Sequence, residues 1–505
     1  MCEGLGLVGV VVLVAAGAAV GAESRLEVTV TEKGQPVPCR VHLSAGGKPI
    51  YAEGLPRFER DPHFDCPGRF AVQVLPGRVA LRIERGPEYA AFATELDVKE
   101  GETVRLPVEL SRWIDMNARG WFSGDLHVHR PPADMPLLLR AEDLNLAPVL
   151  THWNDSHAAV QPPYLVEGME EGPPPRPRCF HTLAQEDERA GGAILLFQLT
   201  QPILLPGVTR HCPSGFAYHQ RALEQRAWVE VEKPFWWEAP VHVALGRVDS
   251  LGIVCNHFQR LRVMDNEAWG RPRDRQAYPG PRGFALNVLD LYYRYLNLGY
   301  QIPASAGSAS GVLASPLGHN RVYVQLGRFS YDAWFEGLRA GRNFVTNGPM
   351  LFATVNGEPP GARFEPKDAP FVARVDFEAL GQTELDAVEF LIEGKVVRRI
   401  DNTPGNRPIS GSVSFPIEQS TWIAVRAFDR SREPVVRFAH TSPWYVTVGG
   451  KRPRDPDAAR FYVAWMDELI AATEKVRTAA KDPAPFEVVL DTYRRARAVY
   501  AAAAR

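Results

Sequence analysis

The sequence predicts an α/β core flanked by two all-β sandwich domains and followed by a C-terminal helical hairpin. Three observations carry this reading. Residues 25–112 and 351–448 alternate apolar and polar side chains with period two, the mark of half-buried strands. Between them, short apolar runs are interleaved with helical segments, and most histidines and tryptophans fall there. Near the C-terminus, Phe461, Trp465, Leu469 and Val476 form one helical stripe. A chain of 505 residues is too long for one ordinary core, and about three domains follow from typical domain size. The divisions read as a leader at 1–22, a sandwich at 23–112, an α/β unit at 113–350, a second sandwich at 351–450 and a hairpin at 451–505.

The leader comes first. Leu5 to Val20 is almost wholly apolar or glycine, and Val20-Gly21-Ala22 before Glu23 has the small residues of a signal-peptide cleavage site. The segment before the run holds Glu3 and no Lys or Arg, so an uncleaved N-terminal anchor is the alternative. Either way the chain is expected to be exported, secreted or periplasmic, with no other contact with a membrane. A formal charge of −2 without a long basic run argues against nucleic acid as a partner. Export permits disulfides, and Cys39 with Cys66 is the favoured pairing, Cys179 with Cys212 the weaker one. Cys255 is then a free, buried thiol.

In the first sandwich, Leu26, Val28 and Val30 alternate with polar neighbours, and Glu32-Lys33-Gly34-Gln35 turns the chain. Val79, Leu81 and Ile83 make a later strand, and the domain reads as an antiparallel scaffold or binding module. The α/β unit opens on Gly124-Asp125-Leu126-His127-Val128-His129. Along a strand His127 and His129 point the same way while Leu126 and Val128 face the packed side, an arrangement that suits either a divalent ion with further ligands from elsewhere or an ordinary pair of surface histidines. Met135 to Leu144 reads as a helix, and Leu146 to Thr151 as a buried strand ending in His152-Trp153-Asn154-Asp155. Polar residues at the C-terminal end of a strand in β-α-β order are where α/β barrels place their sites.

These motifs resemble the polymerase-and-histidinol-phosphatase (PHP) metallohydrolases, in particular their secreted CehA/McbA-like branch. Further points of likeness are Gly299 to Gly307, Asn320 to Val324 and Gly341 to Pro349. The resemblance covers about 115–350 and implies a distorted (β/α)7 barrel with one to three divalent metals at its strand ends. Carried over residue by residue, His127 and His129 match the first metal pair. Glu186 stands where a bridging glutamate is often supplied, with Glu188 as the competing choice, and His257 fits a later strand-end histidine. Asp134 is a looser match.

The departures are as informative. Thr151-His152-Trp153-Asn154 puts Trp153 at the usual histidine, and Gly307-Ser308-Ala309-Ser310 lacks the usual Asp and His. The resemblance therefore implies a single metal rather than a cluster, held by His127, His129, Glu186 and His257, with His152 as a substitute ligand. Histidine and carboxylate donors suit zinc, manganese or iron. Glu186 and His152 are the candidate catalytic groups. Trp153, Arg260 and His319 are the candidate substrate contacts for a small-molecule or glycan substrate. Arg260, Arg262, Arg271 and Arg273 either meet an anionic substrate or pair with Asp265, Glu267 and Asp274. His211 and His219 read as loop residues.

The functional expectation is an exported hydrolase in which a metal-activated water attacks an ester or phosphoester. The alternative is a catalytically decayed barrel that binds a carbohydrate or surface glycan, with the tryptophans as its platform.

Overall fold

A computed structural model describes residues 24–170, 175–403, 405 and 408–505. The expected leader lies outside the described residues. Among the described residues no helix is long and apolar enough to cross a membrane.

The chain is mixed α/β with much sheet and seven α-helices among the described residues. The N-terminal unit is two packed sheets whose core is its own: Leu26, Val28 and Val30 on Ser24–Glu32 are buried against Val41, Leu81 and Ile83. Its pairing is not purely antiparallel, because Ser24–Glu32 and Thr103–Glu109 run parallel, Leu26 opposite Val104. Connecting these two strands through the whole module brings them side by side in the same direction. Cys39 and Cys66 stand directly opposite one another on adjacent strands, but as thiols, and Cys179, Cys212 and Cys255 are also free and buried.

In the central unit, β1 (Trp121–Gly124) pairs in parallel with β2 (Leu146–Trp153), and β2 with β3 (Cys179–Arg189). β4 (Gly192–Phe197) and β5 (Trp228–Val231) follow by antiparallel pairing; β6 (Ser250–Val254) and β7 (Ala304–Ala306) return to parallel. Leu126 donates its amide to the Ala306 carbonyl at 3.2 Å, and Val128 bridges both Val149 and Ser310. The helix after β1 is α1 (Met135–Ala141), shorter than its pattern suggests because Glu142 and Asp143 turn away to pair with arginines. His219 sits inside α2 (Phe216–Glu224), fully buried, rather than in a loop. α3 (Ala239–Leu245) and α4 (Gly280–Asn297) pack outside the sheet.

The second sandwich is continuous with the central sheet rather than linked to it. β8 (Arg321–Gln325) pairs with β1 and with β9 (Asn343–Thr346), which in turn pairs with Phe438–Thr441. Thr421–Asp429 is buried on both faces instead of alternating, because α4 covers its outer side: Trp422 donates to Asn297 Oδ1 at 2.7 Å and its ring lies 5.1 Å from Tyr293. α5 (Tyr331–Arg339) closes the gap between β8 and β9 in sequence.

The terminal hairpin is α6 (Pro456–Ala479) and α7 (Ala484–Ala503). Asp455 caps α6 through the amides of Asp457 and Ala458, as a Ser/Asp-type cap ahead of proline should. The stripe docks on the core, with Trp465 donating to the Trp237 carbonyl and Tyr462 to the Leu291 carbonyl.

Candidate metal centre

Two residues past β1, the period-two geometry does what the spacing predicts. Leu126 and Val128 are buried on the core side, and His127 and His129 turn to the other side together. Asp125, fully buried, fixes the segment by accepting from the amides of His127 (3.1 Å), Ser308 (2.9 Å) and Gly318 (2.7 Å). The segment carrying both histidines is extended chain beyond β1, bridged at Val128, and Gly307 lies against it so closely that a Cβ there would stand 2.4 Å from His127 Cβ.

β3 brings the third group. Its run Gln185-Glu186-Asp187-Glu188 is not a solvated acidic face: Glu186 is 2% exposed, opposite Trp153 of β2 and Leu195 of β4. His127 Nε2 and His129 Nε2 are 3.1 Å apart; Glu186 Oε2 is 3.1 Å from His129 Nε2 and 3.6 Å from His127 Nε2. Three donor atoms converge on one point. The edge of a tetrahedron of ligands about 2.0–2.1 Å from a zinc ion is about 3.3 Å, which is the spacing observed. Glu186 Oε2 is buried and makes no well-formed hydrogen bond, so its charge is offset by the two imidazoles beside it. Two imidazoles and a carboxylate also form the donor chemistry of zinc, manganese and iron sites. On all three counts the residues fit a divalent ion.

Behind His127 stands Glu232, one residue past β5, with Oε1 3.2 Å from His127 Nδ1. Its other oxygen is held by Lys233 Nζ at 2.6 Å and by the Trp236 indole N–H at 2.8 Å. A carboxylate on the far nitrogen fixes the ring and leaves Nε2 facing the site. Burial opposes charge on His127, but Glu186 and Glu232 outweigh it and push its pKa up to about 10. Glu186 moves the other way: burial would raise its pKa, and the two histidines hold it well below the usual carboxylate range. A site so charged attracts protons to its nitrogens and cations to its centre alike.

Trp153 packs over His129, with ring centroids 4.8 Å apart, and donates its indole N–H to Glu188 Oε2 at 3.0 Å. Glu188 lies two residues from Glu186 on the same strand face; burial first, then the Glu186 charge, raise its pKa to about 7.

Other predicted residues do not join the group. His152 is adjacent to Trp153 on a strand, so the alternation that sends Trp153 to His129 sends His152 away; its ring lies 4.9 Å from His157. His257 is stacked on Phe284 with its Nδ1 3.1 Å from the Met264 carbonyl, the environment of a core histidine. Asp134 stands before α1 and is not among the converging groups. Arg260 is committed to Asp61 of the N-terminal sandwich by three hydrogen bonds of 2.6–3.1 Å. Arg273 is paired with Asp265 and Glu267, and Arg271 with Glu468, so the arginine run is mainly structural. His319 and Arg260 line a different cleft. Trp236 stacks on Trp269 with centroids 5.1 Å apart, and Trp228 is buried, so packing accounts for most of the tryptophans.

Glu232 and Lys233 are site residues that the sequence reading did not single out. The available signal was Glu230-Val231-Glu232, two acids on one strand face directly after the apolar Trp228-Val229. In comparisons with known proteins, no family model matches the chain and no curated protein matches it.

Proposed function

We propose that the chain is an exported, metal-dependent hydrolase of PHP type that acts on an ester or phosphoester. The observation that carries the reading is the convergence of His127 Nε2, His129 Nε2 and the buried Glu186 Oε2 at 3.1–3.6 Å from one another. The barrel-like reading of the central unit is supported by the run of neighbours from β1 to β7 together with the Leu126–Ala306 hydrogen bond and the Val128–Ser310 bridge. Secretion or delivery to the periplasm rests on the apolar leader alone.

In this reading His127, His129 and Glu186 hold one zinc, manganese or iron ion. A divalent ion in such a site supplies Lewis acidity and lowers the pKa of water towards neutrality. The chain's own groups do the rest. Glu232 keeps His127 in the tautomer that offers Nε2. Trp153 forms an apolar wall over His129 and excludes water from that side. Glu188, held by the Trp153 indole, is placed to accept and return a proton at its carboxylate. His257 and His152 have structural roles in this account.

The test is hydrolysis of a panel of aryl phosphoesters and aryl carboxyl esters by the purified protein, before and after chelation and after refilling with zinc, manganese or iron. Activity that chelation removes, one metal restores and His129→Ala abolishes supports the reading. A metal-filled protein inert on the whole panel refutes the hydrolase assignment. A second reading, a barrel that binds glycans without turnover, is favoured by one observation: Trp269 is 42% exposed while stacked on Trp236. Saturable glycan binding that Trp269→Ala removes, in a protein without hydrolytic activity, would decide for it.

A further inference from the structure

A second cleft opens where the two sandwiches meet the central unit. It has a volume of about 200 Å³ and receives Arg40 and Arg82 from the N-terminal sandwich, Arg260 and His319 from the central unit, and Arg437 from the second sandwich. Four guanidinium groups around one cleft repel unless acids or a ligand stand between them. Acids account for three. Arg40 is paired with Glu84 and Glu142, Arg82 shares Glu84, and Arg260 gives Nε and Nη2 to Asp61. Among the described residues the Arg437 guanidinium has no carboxylate at ion-pair distance.

Arg437 is held where it is. Asn347 donates to the Val436 carbonyl at 3.0 Å and accepts from the Phe438 amide at 2.9 Å, clamping the residues on either side. Gly348 makes room for the side chain: a Cβ there would stand 2.9 Å from Arg437 Cβ and 3.0 Å from its Cδ. The turn carrying His319 is fixed as well, by the Gly318 amide on Asp125 at 2.7 Å. His319 Nε2 is buried and has no hydrogen-bond partner. Burial, then Arg437, Arg260 and Arg40, hold the ring neutral with a pKa of about 3. In the tautomer with its proton on Nε2, the neutral imidazole would join the Arg437 guanidinium as a pair of donors in want of an acceptor.

We propose that this cleft binds a small oxyanion, a phosphate or a carboxylate, received by Arg437, the remaining Nη1 of Arg260 and His319. The Glu84 and Glu142 carboxylates on its wall are already engaged by Arg40, so they shape the cleft rather than fill it. The site is independent of the metal reading. No residue of the His127–His129–Glu186 group lines it.

Isothermal titration of the full-length mature protein tests this, with inorganic phosphate, acetate and succinate as separate probes and a chelator present to silence the metal centre. The expected result is saturable binding of phosphate or of a carboxylate, weakened by added salt. Arg437→Gln and His319→Gln, tested separately, should each weaken it, Arg437→Gln by about tenfold or more, the loss of a charge-assisted pair. Phosphate alone binding identifies a phosphate site, and acetate or succinate alone a carboxylate site. No saturable binding of any probe, or unchanged affinity in both variants with native circular dichroism, overturns the proposal.

Discussion

At the level of single residues, the charge on His127 is governed by Glu186 first and by Glu232 after it. Glu232 makes no contact with the point where the three donors meet; it acts through Nδ1 of His127, 3.2 Å away. Glu232→Gln keeps the shape and loses the charge, so the imidazole is less basic and less firmly oriented. Metal affinity should fall by about 10- to 100-fold, the usual loss when such a partner is changed. Competition against a chelator of known affinity measures it, and an unchanged affinity would show that Glu232 serves only Lys233 and Trp236. The shared direction of His127 and His129 was legible from spacing, because alternation along extended chain is a local rule, but their candidacy as ligands needed the motifs around them. Glu186 was legible only as a candidate: an acidic run is read as surface, and what buries it is pairing with β2 and β4, which no local pattern reports. His152 could have been excluded from the same alternation that selects Trp153.

At the level of elements, the site depends on how closely the loop after β7 approaches the strand of His127. Gly307→Ala would place a methyl 2.4 Å from His127 Cβ and 3.0 Å from its backbone nitrogen, so one of the two segments must move. Overpacking of this kind costs about 1–3 kcal/mol. Urea unfolding should show that loss together with weaker metal binding, whereas a stability loss with full metal affinity would mean that the loop yields and the strand does not. The glycine was present in the sequence as part of Gly299 to Gly307, but its purpose was not. A requirement for absent volume becomes visible only when the neighbouring strand is in place. The terminal hairpin was more legible, because its cap and apolar stripe are local; the partners of α6 at Trp237 and on α4 were not.

At the level of the whole molecule, three units are joined by buried polar contacts rather than by linkers. Arg260 and Asp61 are 199 residues apart in sequence, and their pairing fastens the N-terminal sandwich to the central unit. Arg260→Ala leaves the buried Asp61 without its cationic partner and should cost about 3 kcal/mol at pH 7. Burial would raise the Asp61 pKa, but His63 and Arg260 hold it well below the usual carboxylate range. A carboxylate depressed in the folded state contributes stability above its unfolded pKa, about 3.9, and loses it as pH falls towards the folded value. The gap in stability between the native protein and Arg260→Ala should therefore be full at pH 6–7 and shrink below about pH 4. Chemical unfolding across that range checks it; a gap constant down to pH 3 would assign the loss to packing. Composition and pattern revealed a mixed α/β chain rich in sheet, while the fastening of Asp61 to Arg260 was hidden in an arginine run that read as either substrate contacts or pairs with nearby acids.

The central claim is that one divalent ion sits between His127, His129 and Glu186, and anomalous diffraction at the metal's absorption edge tests it most directly. Crystals grown with zinc, manganese or iron should show one strong peak about 2.0–2.2 Å from His127 Nε2, His129 Nε2 and a Glu186 oxygen. That peak should be absent from His127→Ala/His129→Ala crystals. No peak at this position with any of the three metals, in crystals whose surrounding side chains are well ordered, would contradict the account.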